Sequence, residues 1–186
     1  MELFRNRFIW LFALLLSTCA VIAETSDYRL LEGDVITISV WGEDDLKGEA
    51  RVTPSGRISF PLAGSVEVRG KTTAEVEEIV EKSLGKYIPD AQVSVVVVST
   101  QGNKVYVLGK VGKPGVVQMD SPMTVLQALA MVGGPNKFAE EDKIHVYRNS
   151  KGSDEVQLKV HYSKLMSGED MSSNHWLQAG DTILVP

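Results

Sequence analysis

The sequence predicts an α+β protein of two small units, the first a mixed sheet with one helix and the second β-grasp-like. Three observations carry this. The phrase Leu31-Glu32-Gly33-Asp34-Val35-Ile36 is echoed near the other end by Gln178-Ala179-Gly180-Asp181-Thr182-Ile183, each a Gly-Asp turn running into a β-prone stretch. Each half holds one helical segment behind a threonine, at Thr72 and at Thr124. The remainder is short runs rich in Val and Ile, punctuated by Gly and Pro. At 186 residues, two such units can each bury a core, though a modest one.

Taken in order, Val35, Ile36, Ile38, Val40 and Trp41 predict a strand, which Glu43-Asp44-Asp45 is expected to break with solvated charge. Val52 to Phe60 reads as a hairpin around Pro54-Ser55-Gly56. Thr72 and Glu75 form a capping box, and Val76, Ile79, Val80 and Leu84 recur at helical spacing, with Glu77, Glu78 and Glu81 on the other face. The four valines Val95 to Val98 predict a strand covered on both faces. Gln101-Gly102-Asn103 separates this unit from the next. There, Val105 to Leu108 predicts a strand and Val116-Val117 its return; Thr124, Val125, Leu126 and Leu129 predict a helix ended by Gly133-Gly134-Pro135. Strands at Ile144–Tyr147 and Val156–Val160 flank a polar turn, Asn149 to Asp154, and a last strand runs from Thr182 to Val185.

The first residues belong to neither core. Arg5 and Arg7, the apolar run Phe8 to Leu16 and a small-residue exit describe a secretory signal peptide over residues 1–23. Two exits are open: cleavage after Ala23, or lipidation of Cys19, whose preceding Thr18 is bulkier than a lipobox normally has. Cys19 is the only cysteine, so no disulfide framework is available and apolar packing must hold the fold. Removing Glu2, Arg5 and Arg7 with the leader leaves 17 basic and 23 acidic residues, a net charge of about −6. Positive charge dispersed among acids excludes nucleic acid as a partner.

The motifs that resemble sites have simpler readings. Gly109 to Gly115 has the wrong spacing for a phosphate loop, and Pro114 follows Lys113 where a hydroxyl residue should bind magnesium, so a tight β-turn is expected. Glu43, Asp44, Asp45 and Glu49 could offer the paired carboxylates of glycoside hydrolysis, but they are read as solvated charge in one exposed turn. His145, His161 and His175 form no ligand pair, so no metal is expected. Trp41 and Trp176 are read as core or interface residues, with stacking on a sugar ring the alternative. No nucleophile with a neighbouring base is legible; the expectation is no catalytic residue, no cofactor and no enzyme.

The phrases Tyr28-x-Leu30-x-x-Gly33-Asp34, Pro54-Ser55-Gly56-Arg57-Ile58-x-x-Pro61-x-x-Gly64 and Val66-x-Val68-x-Gly70-x-Thr72 resemble the bacterial polysaccharide export family of outer-membrane auxiliary proteins. The likeness continues through Val107-x-Gly109-x-Val111-x-x-Pro114-Gly115, Thr124 with Gly133-Gly134, Arg148, and Asn174-x-x-Leu177-x-x-Gly180-Asp181-x-Ile183-x-Val185-Pro186, which looks like one soluble-ligand-binding β-grasp (SLBB) repeat. It covers the chain after the leader, implying an export domain over 24–101 and an SLBB domain over 102–186.

The resemblance implies a homo-oligomeric ring, commonly octameric, in the periplasm at the outer membrane. Such a ring conducts capsular or secreted polysaccharide and meets an inner-membrane co-polymerase. Larger members add a C-terminal amphipathic helix that crosses the outer membrane. This sequence closes at Pro186, so the expectation is a short ring or adaptor served by a separate outer-membrane pore protein. The alternative is a periplasmic glycan-binding or scaffold protein that makes no pore. Which residues contact the polymer is not legible.

Overall fold

The computed structural model describes residues 27–148 and 156–186. Cys19, Ala23 and the turn Asn149 to Asp154 lie outside the described residues.

In the first unit β1 (Val35–Val40) turns back into β2 (Glu43–Arg51), so the acidic run lies in a strand rather than ending one. Pairing jumps from Val40↔Glu43 to Ser39↔Lys47, which leaves Asp44, Asp45 and Leu46 opposite no residue of β1. This wide bulge lets the two carboxylates stand in solvent while Leu46 turns onto the core. The expected hairpin also moves. Thr53 and Arg57 close a tight turn, Thr53 N donating to Arg57 O, but β3 (Arg57–Phe60) pairs forward with β4 (Gly64–Glu67) instead of back along the chain.

Helix α1 (Thr73–Leu84) begins at the predicted capping box: Glu75 N donates to Thr72 Oγ1, and Thr72 N to the Glu75 carboxylate at 2.7 Å. Its stripe of Val76, Val80 and Leu84 is fully buried. The opposite face is not merely solvated. Glu77 accepts from Val95 N at 2.8 Å and Glu81 from Val93 N at 3.0 Å, which closes part of the free edge of β5 (Val93–Ser99). The sheet order is β2-β1-β5, antiparallel throughout. It buries Ile36, Ile38, Val40, Val93 and Val95 against α1 and the β3-β4 hairpin, and leaves its other face open. The valine run is therefore covered on one face only: Val95 is buried, whereas Val96 and Val98 are 58% and 53% exposed.

The second unit pairs β6 (Lys104–Gly109) with β7 (Gly115–Gln118), then adds α2 (Val125–Met131), a single 3-10 turn at Glu141–Lys143, β8 (Ile144–Arg148) and β9 (Val156–Val160). A short α3 (Tyr162–Ser167), unread in the sequence, precedes β10 (Thr182–Val185). The order β7-β6-β10-β8-β9 places the last strand at the centre, parallel to β6 and antiparallel to β8. A mixed sheet with helices over one face is the predicted β-grasp-like arrangement. Ile183 and Val185 of β10 are fully buried with Val105, Val107, Ile144, Val146 and Leu129.

Candidate functional site

The repeated phrase builds the same device twice. Gly33 and Gly180 take φ of +97° and +89°, a region open to glycine, and turn the chain so that the next aspartate points back into it. Asp34 accepts from Leu31 N, and Asp181 from Gln178 N, both at 2.8 Å. Both side chains are buried, and a buried carboxylate needs strong donors.

The two turns find those donors differently. Asp181 receives a bidentate Arg148: Nε donates to Oδ1 at 2.9 Å and Nη2 to Oδ2 at 2.7 Å, while Nη2 also reaches Trp176 O. That hydrogen bond to the carboxylate holds the guanidinium pKa above its ordinary value. Among the described residues no cation pairs with Asp34 in this way. It accepts from the Tyr28 hydroxyl at 2.7 Å and, across the junction between units, from Gly102 N at 2.8 Å. Burial, then the hydrogen bond and charge of Asp34, push the Tyr28 pKa well above the ordinary phenol value. These carboxylates hold the architecture, and the surfaces they position are where function must be sought.

The first surface is a groove of about 620 Å³ across the open face of the β2-β1-β5 sheet. The register puts Lys47, Ser39 and Ser94 side by side on three neighbouring strands. Trp41 and Gly42, the two residues between β1 and β2, form its end, with Glu43, Asp44 and Gln92 beside them. Trp41 N donates to Gln92 O, which fixes the turn. The Trp41 side chain is not in the core: the residue is 84% exposed. Trp176 is exposed as well, in the segment before β10. Glu43 and Asp44 thus come together with Trp41, whereas Glu49 lies further along β2, opposite Thr37.

Two apolar patches make up the second class of surface. Val96 and Val98 stand on β5 of the first unit, while Tyr106, Leu108 and Val116 stand outward on β6 and β7 of the second. Leu108, Tyr147, Thr182 and Leu184 line a shallow depression of about 320 Å³ on that outer face.

The remaining motifs do not assemble into chemistry. In the Gly109 to Gly115 turn, Lys110 N donates to Val185 O, Val111 N to Gly109 O, Gly112 N to Gly134 O and Lys113 N to Val132 O. Amides already committed to backbone carbonyls cannot cradle a phosphate. His145 lies on β8, His161 at the start of α3 and His175 beyond that helix, where Nε2 meets Lys159 O.

Comparison with known proteins decides the family. The polysaccharide biosynthesis/export protein family matches residues 22–98, and the SLBB domain matches residues 104–159. The chain belongs to the polysaccharide export family. The Trp41 groove is therefore a feature of the export domain, and the SLBB match runs from β6 through β8 to all but the last residue of β9. Among relatives, the EPS I polysaccharide export outer membrane protein EpsA of Ralstonia nicotianae is 28% identical over 89% of this chain and 49% of its own. EpsA of Ralstonia solanacearum is 30% identical over 70% of this chain and 41% of its own. The polysialic acid transport protein KpsD of Escherichia coli is 30% identical over 89% of this chain and 29% of its own. The chain thus spans half or less of the length of these relatives. The family is one of transport components, not enzymes.

Proposed function

We propose that the protein is a component of a capsular or exopolysaccharide export machine, acting in the periplasm at the outer membrane as a ring or adaptor for the polymer. The observation that carries this reading is the order of the two matched domains along one chain, over which relatives named as exporters align. The ring itself finds support in the two apolar patches. A closed ring needs heterologous contacts, in which one surface of a subunit meets a different surface of the next. The Val96-Val98 strip and the Tyr106-Leu108-Val116 face are two such unlike surfaces. Because α1 carboxylates occupy edge amides of β5, docking by sheet faces fits better than pairing through that edge.

In this reading residues 1–23 are a leader, 24–101 and 102–186 the two domains, and the partners are a polysaccharide, an inner-membrane co-polymerase and a separate outer-membrane pore protein. Among the described residues no helix is long and apolar enough to cross a membrane, which says nothing of a β-barrel. The mechanism is physical: a hydrated polymer slides past weak, repeated contacts.

Native mass spectrometry of the protein extracted from its own cell envelope tests the ring and the leader together. A multimer of eight or a similar number, reduced to monomers by Val96→Lys or Leu108→Lys without loss of fold, is the expected result. The N-terminal mass reports cleavage after Ala23 or a lipid on Cys19. A wild-type monomer would instead favour the reading as a glycan-binding or scaffold protein without a pore, which the exposed Trp41 groove also accommodates.

A further inference from the structure

We propose that the Trp41 groove of the export domain is a saccharide subsite selective for neutral sugar residues. Four observations converge on it. First, Trp41 presents an indole at 84% exposure from a turn whose backbone is fixed by its bond to Gln92 O. An aromatic plane held open to water offers an apolar face to the C–H side of a pyranose and a polar N–H at its rim.

Second, Lys47, Ser39 and Ser94 form a row across three strands, a span of about 10 Å at the usual strand spacing. That is the length scale of a disaccharide. Third, the side chains of Ser39, Lys47, Gln92, Ser94, Glu43 and Asp44 make no hydrogen bond or ion pair among the described residues, so their donors and acceptors are available to sugar hydroxyls. Fourth, the lining carries two carboxylates, Glu43 and Asp44, and one ammonium, Lys47, a net negative charge that disfavours uronic and sialic acids and admits neutral rings.

The groove is shallow and open, lined by a single aromatic, so binding there is weak and fast to release. That property lets a polymer move. The inference rests on the export reading only for where the sugar comes from; the chemistry of the groove stands by itself.

Saturation-transfer NMR on the full chain isolated from the envelope tests it. The probes are oligosaccharides released by partial acid hydrolysis of the source cells' extracellular polymer, separated into neutral and acidic pools. Saturation of the neutral pool is expected. Trp41→Ala should weaken that binding about five- to tenfold, as loss of one stacking contact does, while Trp41→Phe retains most of it. Equal binding by wild type and Trp41→Ala overturns the proposal, as does silence of the neutral pool or binding of the acidic pool alone. Deleting the gene separates the two readings. Unchanged polymer export in the deletion strain removes the export role and leaves the groove's affinity as measured.

Discussion

Replacing Arg148 with alanine should destabilise the SLBB unit more than any loss of packing at a partly exposed arginine would. The substitution removes both guanidinium bonds to Asp181, at 2.9 and 2.7 Å, and leaves that carboxylate with Gln178 N alone. Breaking a buried pair from one side costs about 3–5 kcal/mol, because an uncompensated charge stays behind. Asp181 is 1% exposed, but the Arg148 side chain retains 20%, so water reaching the vacated space brings the expected loss to the lower end, about 3 kcal/mol. For a unit of this size that is a fall in Tm of about 12–24 °C. Thermal unfolding followed by Trp176 fluorescence reads it, since Trp176 O accepts from the same guanidinium. Arg148→Lys keeps the charge without the fork and should fall between the two. Adding Asp181→Asn to Arg148→Ala should recover stability by removing the orphaned charge. A loss under about 1 kcal/mol in Arg148→Ala, or a double variant that is simply additive, would refute the ion pair as the anchor of this turn.

Two further substitutions address the first turn. Asp34→Ala takes the acceptor from Tyr28, Leu31 N and Gly102 N, and should cost about 2–4 kcal/mol, read as a lowered urea midpoint. Gly102→Ala should weaken the same junction with Asp34 intact, because a Cβ there would lie 2.6 Å from Leu31 Cβ and 2.7 Å from Glu32 O. Tyr28 predicts a pH dependence. Its pKa is raised in the folded protein, so above the ordinary value of 10.0 the unfolded chain releases a proton that the folded chain keeps, and stability falls as pH rises. Below that value the contribution is fully present. Melting curves of wild type and Tyr28→Phe between pH 8 and 11 should therefore converge toward the alkaline end; parallel curves would contradict it.

Much of the fold was legible because local chemistry and tertiary structure agree there. Thr72 with Glu75 and the Val76-Val80-Leu84 stripe specify α1 at both its start and its buried face. Thr124 likewise starts α2, where Gln127 completes the capping box. Legibility failed where the partner strand, not the strand itself, decides exposure. Four valines in a row look covered on both sides, but among the described residues α1 and the β3-β4 hairpin cover one face of this sheet, and Val96 and Val98 face out on the other. Charge in Glu43-Asp44-Asp45 looks like a loop, yet an outward-facing bulge on an edge strand carries it without burying any of it. Trp41 has the composition of a core residue and the position of a turn residue, and the pairing Val40↔Glu43 gives position the upper hand. The family motif contained Arg148 and Asp181, but their 33-residue separation hid the contact that explains them.

The two Gly-Asp turns show how one local device can serve different ends. Asp181 is neutralised within its own unit by Arg148, so its turn stabilises the central strand that follows it. Asp34 reaches instead to Gly102 N, a backbone amide just beyond β5 at the entrance to the second unit. Nearby, Arg51 Nη1 donates to Gln101 Oε1, and Gln118 Nε2 donates to Thr100 O and Asn103 O. The first turn therefore latches the junction as well as starting β1. For a lone binding module such a latch would be incidental. For a subunit whose β5 patch must meet the SLBB sheet of a neighbour, the angle between the two surfaces sets the curvature of the assembly, and heterologous contacts close only at a fixed rotation. A latch made of backbone and a buried carboxylate holds that angle without depending on side chains that water can compete for. Asp34 is thus the residue at which the stability of the chain and the geometry of the proposed ring are the same question.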